Sequence, residues 1–286
     1  MKKDKTPLAI RFVRWAYPKV EKIFPALAHR YFIHVFYTPF HYTPPESEKT
    51  FMKTAKEFSI TVGGKYIQCY RWGESGPKVL LVHGWAGRAG QFRKIIPALL
   101  AAGFQVVAFD GPAHGKSEGK QTDFLEFCQV FKTIEEKERP FTGVIAHSFG
   151  GVAMLNAAAM GLPLHRLIMI STPTIGSQVV GNYRHAINAS PASGEYFAQY
   201  HIRKYGRPFD EYAALHLVSH LPAPLDLLAI QDEDDRDVHV MNATELKKAY
   251  PAARIHVTKG LGHTRILKDD SVIALCVKHL TNRGVY

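Results

Sequence analysis

Ser148 stands between an apolar run, Val144-Ile145-Ala146, and a small-residue run that opens with Phe149-Gly150-Gly151. A buried strand that passes directly into a helix puts this serine at a sharp corner, with its hydroxyl held clear of the sheet. Ala146 and Gly150, two residues to either side, are small enough to allow the turn. The bland reading is that Gly150-Gly151 only starts a tightly packed helix. A serine hydroxyl is a weak nucleophile at neutral pH and needs an adjacent base. The chain offers 15 histidines, so residue type alone selects none of them. Gly260-Leu261-Gly262 precedes His263, and those glycines let a loop fold back over strand ends. An acidic run, Asp232-Glu233-Asp234-Asp235-Arg236-Asp237, supplies five carboxylates. Most of these read as a solvated loop, with one turned inward to orient an imidazole. A serine, a histidine and a carboxylate so arranged perform two-step acyl transfer.

Alternating elements must position these groups. Phe58–Val62 and Tyr66–Tyr70 flank Gly63-Gly64 and predict a β-hairpin. Strands are then expected at Val79–Val82, Gln105–Phe109, Gly143–Ala146, Leu167–Ile170, Leu225–Ile230 and Arg254–Val257. Helical patterns fall at about 90–102, 121–137, 149–160, 241–249 and 270–281. An antiparallel start followed by β–α alternation predicts an α/β fold: a mostly parallel sheet with helices on both faces. Such sheets carry their chemistry at the carboxyl ends of the strands. More than 50 residues separate Ile170 from Leu225, too many for a simple connection. The interval of about 172–222 is expected to form a small helical cap over the strand ends.

Three motifs lie in order on these strands. Ala146-His147-Ser148-Phe149-Gly150 resembles the nucleophile elbow of the α/β-hydrolase fold, usually G-x-S-x-G, with alanine in the first glycine position. Leu81-Val82-His83-Gly84-Trp85 resembles the oxyanion-loop segment of that superfamily, and Asp110-Gly111-Pro112-Ala113-His114-Gly115-Lys116-Ser117 its D-x-P-G-H-G-x-S loop. The resemblance covers roughly residues 57–286 and is nearest to bacterial serine hydrolases of the serine-aminopeptidase and monoacylglycerol-lipase branch. It implies Ser148 as nucleophile and His263 as base, from the order Ser, Asp, His. It implies Asp235 as orienting acid from Asp235-Arg236-Asp237-Val238, with Asp237 and Asp234 as alternatives. The oxyanion would be held by the backbone N–H groups of Trp85 and Phe149. His83, His114, Asp110 and His256 then read as structural, and Asp232 as far less important than Asp235. The implied reaction is hydrolysis of a carboxylic ester, thioester or amide in a small-molecule acyl substrate, with no cofactor and no metal. Acyl transfer on the same triad, a non-hydrolytic enzyme and a binding protein on the same fold are the rival readings.

Composition narrows the partners. Of the net charge of +11, residues 1–40 carry +6, from eight Lys/Arg and two Asp/Glu. No basic face or motif marks the remainder, so no nucleic-acid partner is expected. Cys69, Cys128 and Cys276 are odd in number and widely spaced, which predicts reduced, packed thiols rather than a disulfide framework. No secretory signal or transmembrane run is evident, so a cytoplasmic location is expected. Residues 1–50 read as an N-terminal helical segment with a linker, followed by the hydrolase-like domain at 51–286. Within the segment, residues 8–37 read as helix, broken or kinked at Pro18 and Pro25. Ala9, Val13, Ala16, Val20, Ile23 and Leu27 form its apolar stripe. That stripe either packs on the rest of the protein or rests on an anionic membrane; oligomeric state is left open.

Overall fold

The computed structural model describes residues 8–282. Lys2, Lys3 and Lys5, which contribute to the N-terminal charge, lie outside them. The chain forms two compact units. One comprises Pro39–Thr174 and Ala214 onward; the other comprises the residues through Thr38 with Ile175–Ala213.

The larger unit is built on an eight-stranded sheet in the order β1-β2-β4-β3-β5-β6-β7-β8. The strands are β1 (Lys56–Val62), β2 (Lys65–Trp72), β3 (Lys78–Val82), β4 (Gln105–Phe109), β5 (Phe141–His147), β6 (Arg166–Ile170), β7 (Asp226–Asp232) and β8 (Arg254–Thr258). Strand β2 runs antiparallel to both β1 and β4, and every other pairing is parallel. The central strands read as continuous apolar runs because both faces of the sheet are covered; β4 and β6 are buried along their whole length. The strand order reverses at β3, which pairs with β4 on one side and β5 on the other. Such a switch point leaves a crevice at the carboxyl ends of the strands.

The helices are α1 (Leu8–Ile23), α2 (Pro25–Phe36), α3 (Glu46–Met52), α4 (Ile95–Ala101), α5 (Phe124–Glu138), α6 (Phe149–Ala159), α7 (Gly176–Ala186), α8 (Pro191–Tyr205), α9 (Ala214–Leu217), α10 (Met241–Ala249), α11 (Gly262–Arg265) and α12 (Asp270–Thr281). The Asp123 side chain accepts from the Glu126 N–H, so α5 starts at Phe124, three residues later than its pattern implied. Helix α3 falls next to Thr43-Pro44-Pro45, where the sequence reads only as a linker. The cap-like interval is shorter than expected, because α9 belongs to the larger unit.

The smaller unit joins the N-terminal helices to that interval. Pro25 opens α2 at its first turn, where a missing N–H costs nothing. Pro18, expected to break or kink the helix, lies inside a continuous α1. The core here is aromatic: Phe32, Tyr37 and Phe197 are buried together, with Phe36, Tyr183 and Phe209 packed on them. Phe32 meets Tyr183 edge-on at 4.7 Å between centroids. The expected stripe does not match the buried face. Tyr17 and Glu21 turn inward from α1, whereas Val20, Ile23 and Leu27 face solvent. The reason is polar: the Glu21 carboxylate accepts from the Ser190 N–H and from the Ser190 and Ser193 hydroxyls, at 2.6–2.9 Å, and so draws its face of the helix inward.

Candidate active site

The corner between β5 and α6 forms as the residue types require. Ser148 has φ +52° and ψ −123°, in the positive-φ region that costs any residue with a side chain. A Cβ on Gly150 would lie 2.6 Å from the Val82 and His83 carbonyl oxygens, and one on Gly84 would lie 2.7 Å from the Ser148 Cβ. Both positions exclude a side chain, and together they let the β3 loop approach the serine.

Three side chains from three strand ends converge there. The Ser148 hydroxyl donates to His263 Nε2 at 3.1 Å. His263 Nδ1–H donates to Asp235 Oδ2 at 2.9 Å. The Asp235 side chain is fully buried and the His263 ring is 16% exposed. The other Asp235 oxygen, Oδ1, accepts the N–H groups of Asp237 and Val238, both at 2.9 Å. Burial alone would raise the Asp235 carboxyl. The hydrogen bonds from His263 and from those amides outweigh it and hold the group below the usual carboxylate range. Asp237 is exposed, and Asp234 accepts the Gly260 N–H instead of touching the histidine.

Two backbone amides stand next to the serine, that of Phe149 directly after it and that of Trp85 directly after Gly84, whose backbone meets the Ser148 side chain. Phe149 is the first residue of α6, where N–H groups lack intrahelical partners. Among the described residues, neither the Phe149 nor the Trp85 N–H has a hydrogen-bond acceptor. Their side chains meet edge to face at 5.2 Å, so the two amide-bearing loops are packed against each other.

Buried histidines brace these loops. His83 Nδ1–H donates to the Gly84 carbonyl while Nε2 accepts the Gly111 N–H. His114 Nδ1–H donates to the Pro112 carbonyl while Nε2 accepts the Ala86 N–H. Both rings are neutral in these roles, and burial lowers His83 to about 4 and His114 to about 3. Asp110 sits at the centre of its loop, accepting from Ala89, Lys116 and Tyr70.

Two positioning residues escape a sequence reading. Asp232 is fully buried, not part of a solvated acidic loop. Its Oδ1 accepts the Gly262 N–H at 2.8 Å, and its Oδ2 accepts the Leu261 N–H at 3.1 Å and the Thr258 hydroxyl at 2.7 Å. It clamps the two residues that precede His263, which sits in the first turn of α11 rather than in an open loop. His147, next to Ser148, donates from Nε2–H to the His263 carbonyl at 2.8 Å. Burial, then the neighbouring His263, lowers His147 to about 3, so it stays neutral as this donor. The structure extends β7 to Asp232, two residues past the expected strand end, and so places this carboxylate at the end of the strand.

Among the described residues, Asp235, Asp237 and His263 form the one group whose donor atoms could share a metal ion, within 4.8 Å of one another. The His263 and Asp235 atoms already bond to each other, so a cation would displace that proton. A cavity of about 360 Å³ adjoins the Trp85 loop, lined by Tyr42, Glu48, Met52, Tyr70, Arg88 and His114. Neither Ser148 nor His263 lines it.

Comparison with known proteins agrees with this architecture. The model of the Alpha/beta hydrolase family matches residues 79–275. A serine hydrolase-like protein of Danio rerio is 31% identical over 150 residues, covering 49% of this chain and 46% of that protein. A monoacylglycerol lipase of Mycolicibacterium smegmatis is 31% identical over 136 residues, covering 43% of this chain and 49% of the lipase. The matched region thus spans about half the length of each of these relatives. Among solved structures, the Pyrococcus furiosus esterase Pf2001 superposes with a TM-score of 0.62 at 21% identity, over 85% of this chain and 95% of the esterase. That likeness is one of fold. By sequence and by architecture, the chain belongs to the alpha/beta hydrolase family.

Proposed function

We propose that this protein is a serine hydrolase that cleaves a carboxylic ester, or a related thioester or amide, through an acyl-enzyme. The hydrogen-bonded chain Ser148–His263–Asp235, beside two amides without acceptors, carries this reading. The Ser148 oxygen attacks the substrate carbonyl as its proton passes to His263 Nε2. Asp235 keeps the other imidazole proton on Nδ1 and stabilises the imidazolium that forms. The tetrahedral oxyanion accepts from the Trp85 and Phe149 amides, which have no other acceptor among the described residues. The imidazolium then protonates the leaving group as the bond to it breaks. In the second half, His263 takes a proton from water, whose oxygen attacks the acyl carbonyl and releases the acid and Ser148. The names of the relatives, serine hydrolase-like protein and monoacylglycerol lipase, favour the same class.

The test is a fluorophosphonate probe followed by peptide mapping, with turnover measured on p-nitrophenyl esters of graded chain length. Label on Ser148, lost together with turnover in Ser148→Ala, is the expected result. Label on another residue, or an active Ser148→Ala variant, overturns the proposal. A competing alcohol in the same assay separates hydrolysis from acyl transfer by the products formed.

A further inference from the structure

Half of the large hydrophobic side chains exposed among the described residues lie between residues 12 and 31. Phe12, Trp15, Ile23, Phe24 and Leu27 are each 60–67% exposed, with Val20 and Tyr31 beside them. They are held in place by the helix pair below. Tyr17 and Glu21 on α1 and Ala28, Phe32 and Ile33 on α2 are buried, so the outer face cannot roll inward without breaking the Glu21 network. A contiguous apolar patch on a soluble surface marks something that covers it.

The exposed charges on the two helices that carry the patch have one sign. Arg11, Arg14, Lys19, Lys22 and Arg30 are all exposed. Glu21 is the one acidic residue in α1 and α2, and it is buried and fully engaged. On a helical wheel the outer surface of α1 divides into an apolar strip, Phe12, Ile23 and Val20, and a basic strip, Arg11, Arg14 and Lys22. Trp15 and Lys19 lie at the border, with the Lys19 ammonium 3.3 Å from the Trp15 ring centroid. A second copy of the chain is a poor occupant. A two-fold interface would bring the same five cations toward one another, whereas interface cores are depleted in charge.

We infer that this outer face of α1 and the α1–α2 turn is a docking surface for an anionic lipid bilayer. The apolar strip enters the headgroup–acyl boundary, Trp15 and Tyr31 sit at the interface, and the basic strip meets lipid phosphates. Among the described residues no helix is long and apolar enough to cross a membrane, and the docking inferred is at the surface. The inference is independent of the ester reading, because its readout is binding rather than turnover.

The experiment is sedimentation of the full chain with vesicles of phosphatidylcholine containing phosphatidylglycerol, and with phosphatidylcholine alone, at low and high salt. The expected result is binding to the anionic vesicles that weakens with salt. Lys19→Gln/Lys22→Gln should weaken it about 25-fold, at about fivefold per basic residue near an anionic surface. Ile23→Asp/Leu27→Asp should abolish it. Both pairs are exposed, and circular dichroism checks that the variants are folded. A blue shift of tryptophan emission on anionic vesicles, absent from Trp15→Phe, reports insertion independently of those variants. Failure of the full chain to bind overturns the inference, as does equal binding to neutral vesicles. A stable dimer that Ile23→Asp/Leu27→Asp converts to monomer assigns the face to a second copy and also overturns it.

Discussion

The two units solve the problem of burial in different ways. The sheet unit fills its core with aliphatic side chains of neighbouring strands, such as Val79, Leu81, Val106, Ile145 and Ile168. Among its buried polar groups, His83, Asp110, His114, His147 and Asp232 brace loops through backbone groups, while Glu48, Glu138 and Arg166 form ion pairs. The helical unit interlocks aromatic rings from segments about 150 residues apart, and its buried carboxylate, Glu21, accepts from two serine hydroxyls as well as from a backbone N–H. In the first unit, backbone geometry sets the position of reactive atoms, and polar groups fix loops to within a hydrogen bond. In the second, packing sets the position of a surface. The difference teaches where substitution should strike chemistry and where it should strike stability.

The sharpest contrast is catalytic. Ser148→Ala and His263→Ala should each lower kcat by about 10⁴-fold or more with little change in thermal stability, because neither side chain supports the core. Hydrolysis rates set beside melting curves check this. Loss of stability with retained turnover would reverse the roles assigned to the site.

Phe32→Ala should do the opposite. It leaves a cavity among Tyr17, Tyr183 and Phe197 and should cost about 3–5 kcal/mol, read from urea unfolding. If the cost is below about 1 kcal/mol, the aromatic core is not what holds the helical unit together.

Acid should separate the two units. His83, His114 and His147 are held at about 4, 3 and 3, against 6.5 for an exposed ring. Below pH 6.5 the unfolded chain binds protons that the folded chain refuses. Stability of the sheet unit therefore falls as pH drops from 6.5 toward 4, by up to about 1.4 kcal/mol per pH unit for each ring. In the helical unit, burial alone would raise Glu21, but its hydrogen bonds to Ser193 and Ser190 lower it from 4.5. Its contribution is present above that unfolded value and is lost as pH falls through the lower folded one. Unfolding followed by a probe in each unit from pH 7 to 4 should show the sheet unit weakening first. Equal slopes in both units would show that the buried histidines are not the source.

The smallest expected effect sharpens the site itself. Asp232→Asn keeps an oxygen but weakens the clamp on Leu261 and Gly262. It should lower kcat about 10- to 100-fold with KM nearly unchanged, since a base displaced by a fraction of an ångström is less effective. Fluorophosphonate labelling of Ser148 should slow in parallel. A fall in stability with unchanged kcat would make Asp232 a purely structural group.

The sequence by itself determined the sheet and the corner at Ser148, and its resemblance to the α/β-hydrolase motifs supplied the candidate set Ser148, Asp235 and His263. The reason is local. Apolar runs of strand length, small residues around a turn and glycines before His263 are constraints of neighbouring residues on one another. Among the five carboxylates, the resemblance pointed to Asp235, with Asp237 and Asp234 as alternatives, and the structure brings Asp235 to His263. What needed tertiary structure was everything set by partners far apart in the chain. Asp232 looked solvated because its partners, Thr258, Leu261 and Gly262, are 26–30 residues away. Nothing near His147 in the chain marked its role, because its acceptor lies 116 residues away. Hydrophobic periodicity left two readings of the α1 stripe open because it cannot see a buried carboxylate. Glu21 draws its own face of the helix inward through Ser190 and Ser193, about 170 residues on, and leaves Ile23 and Leu27 outside.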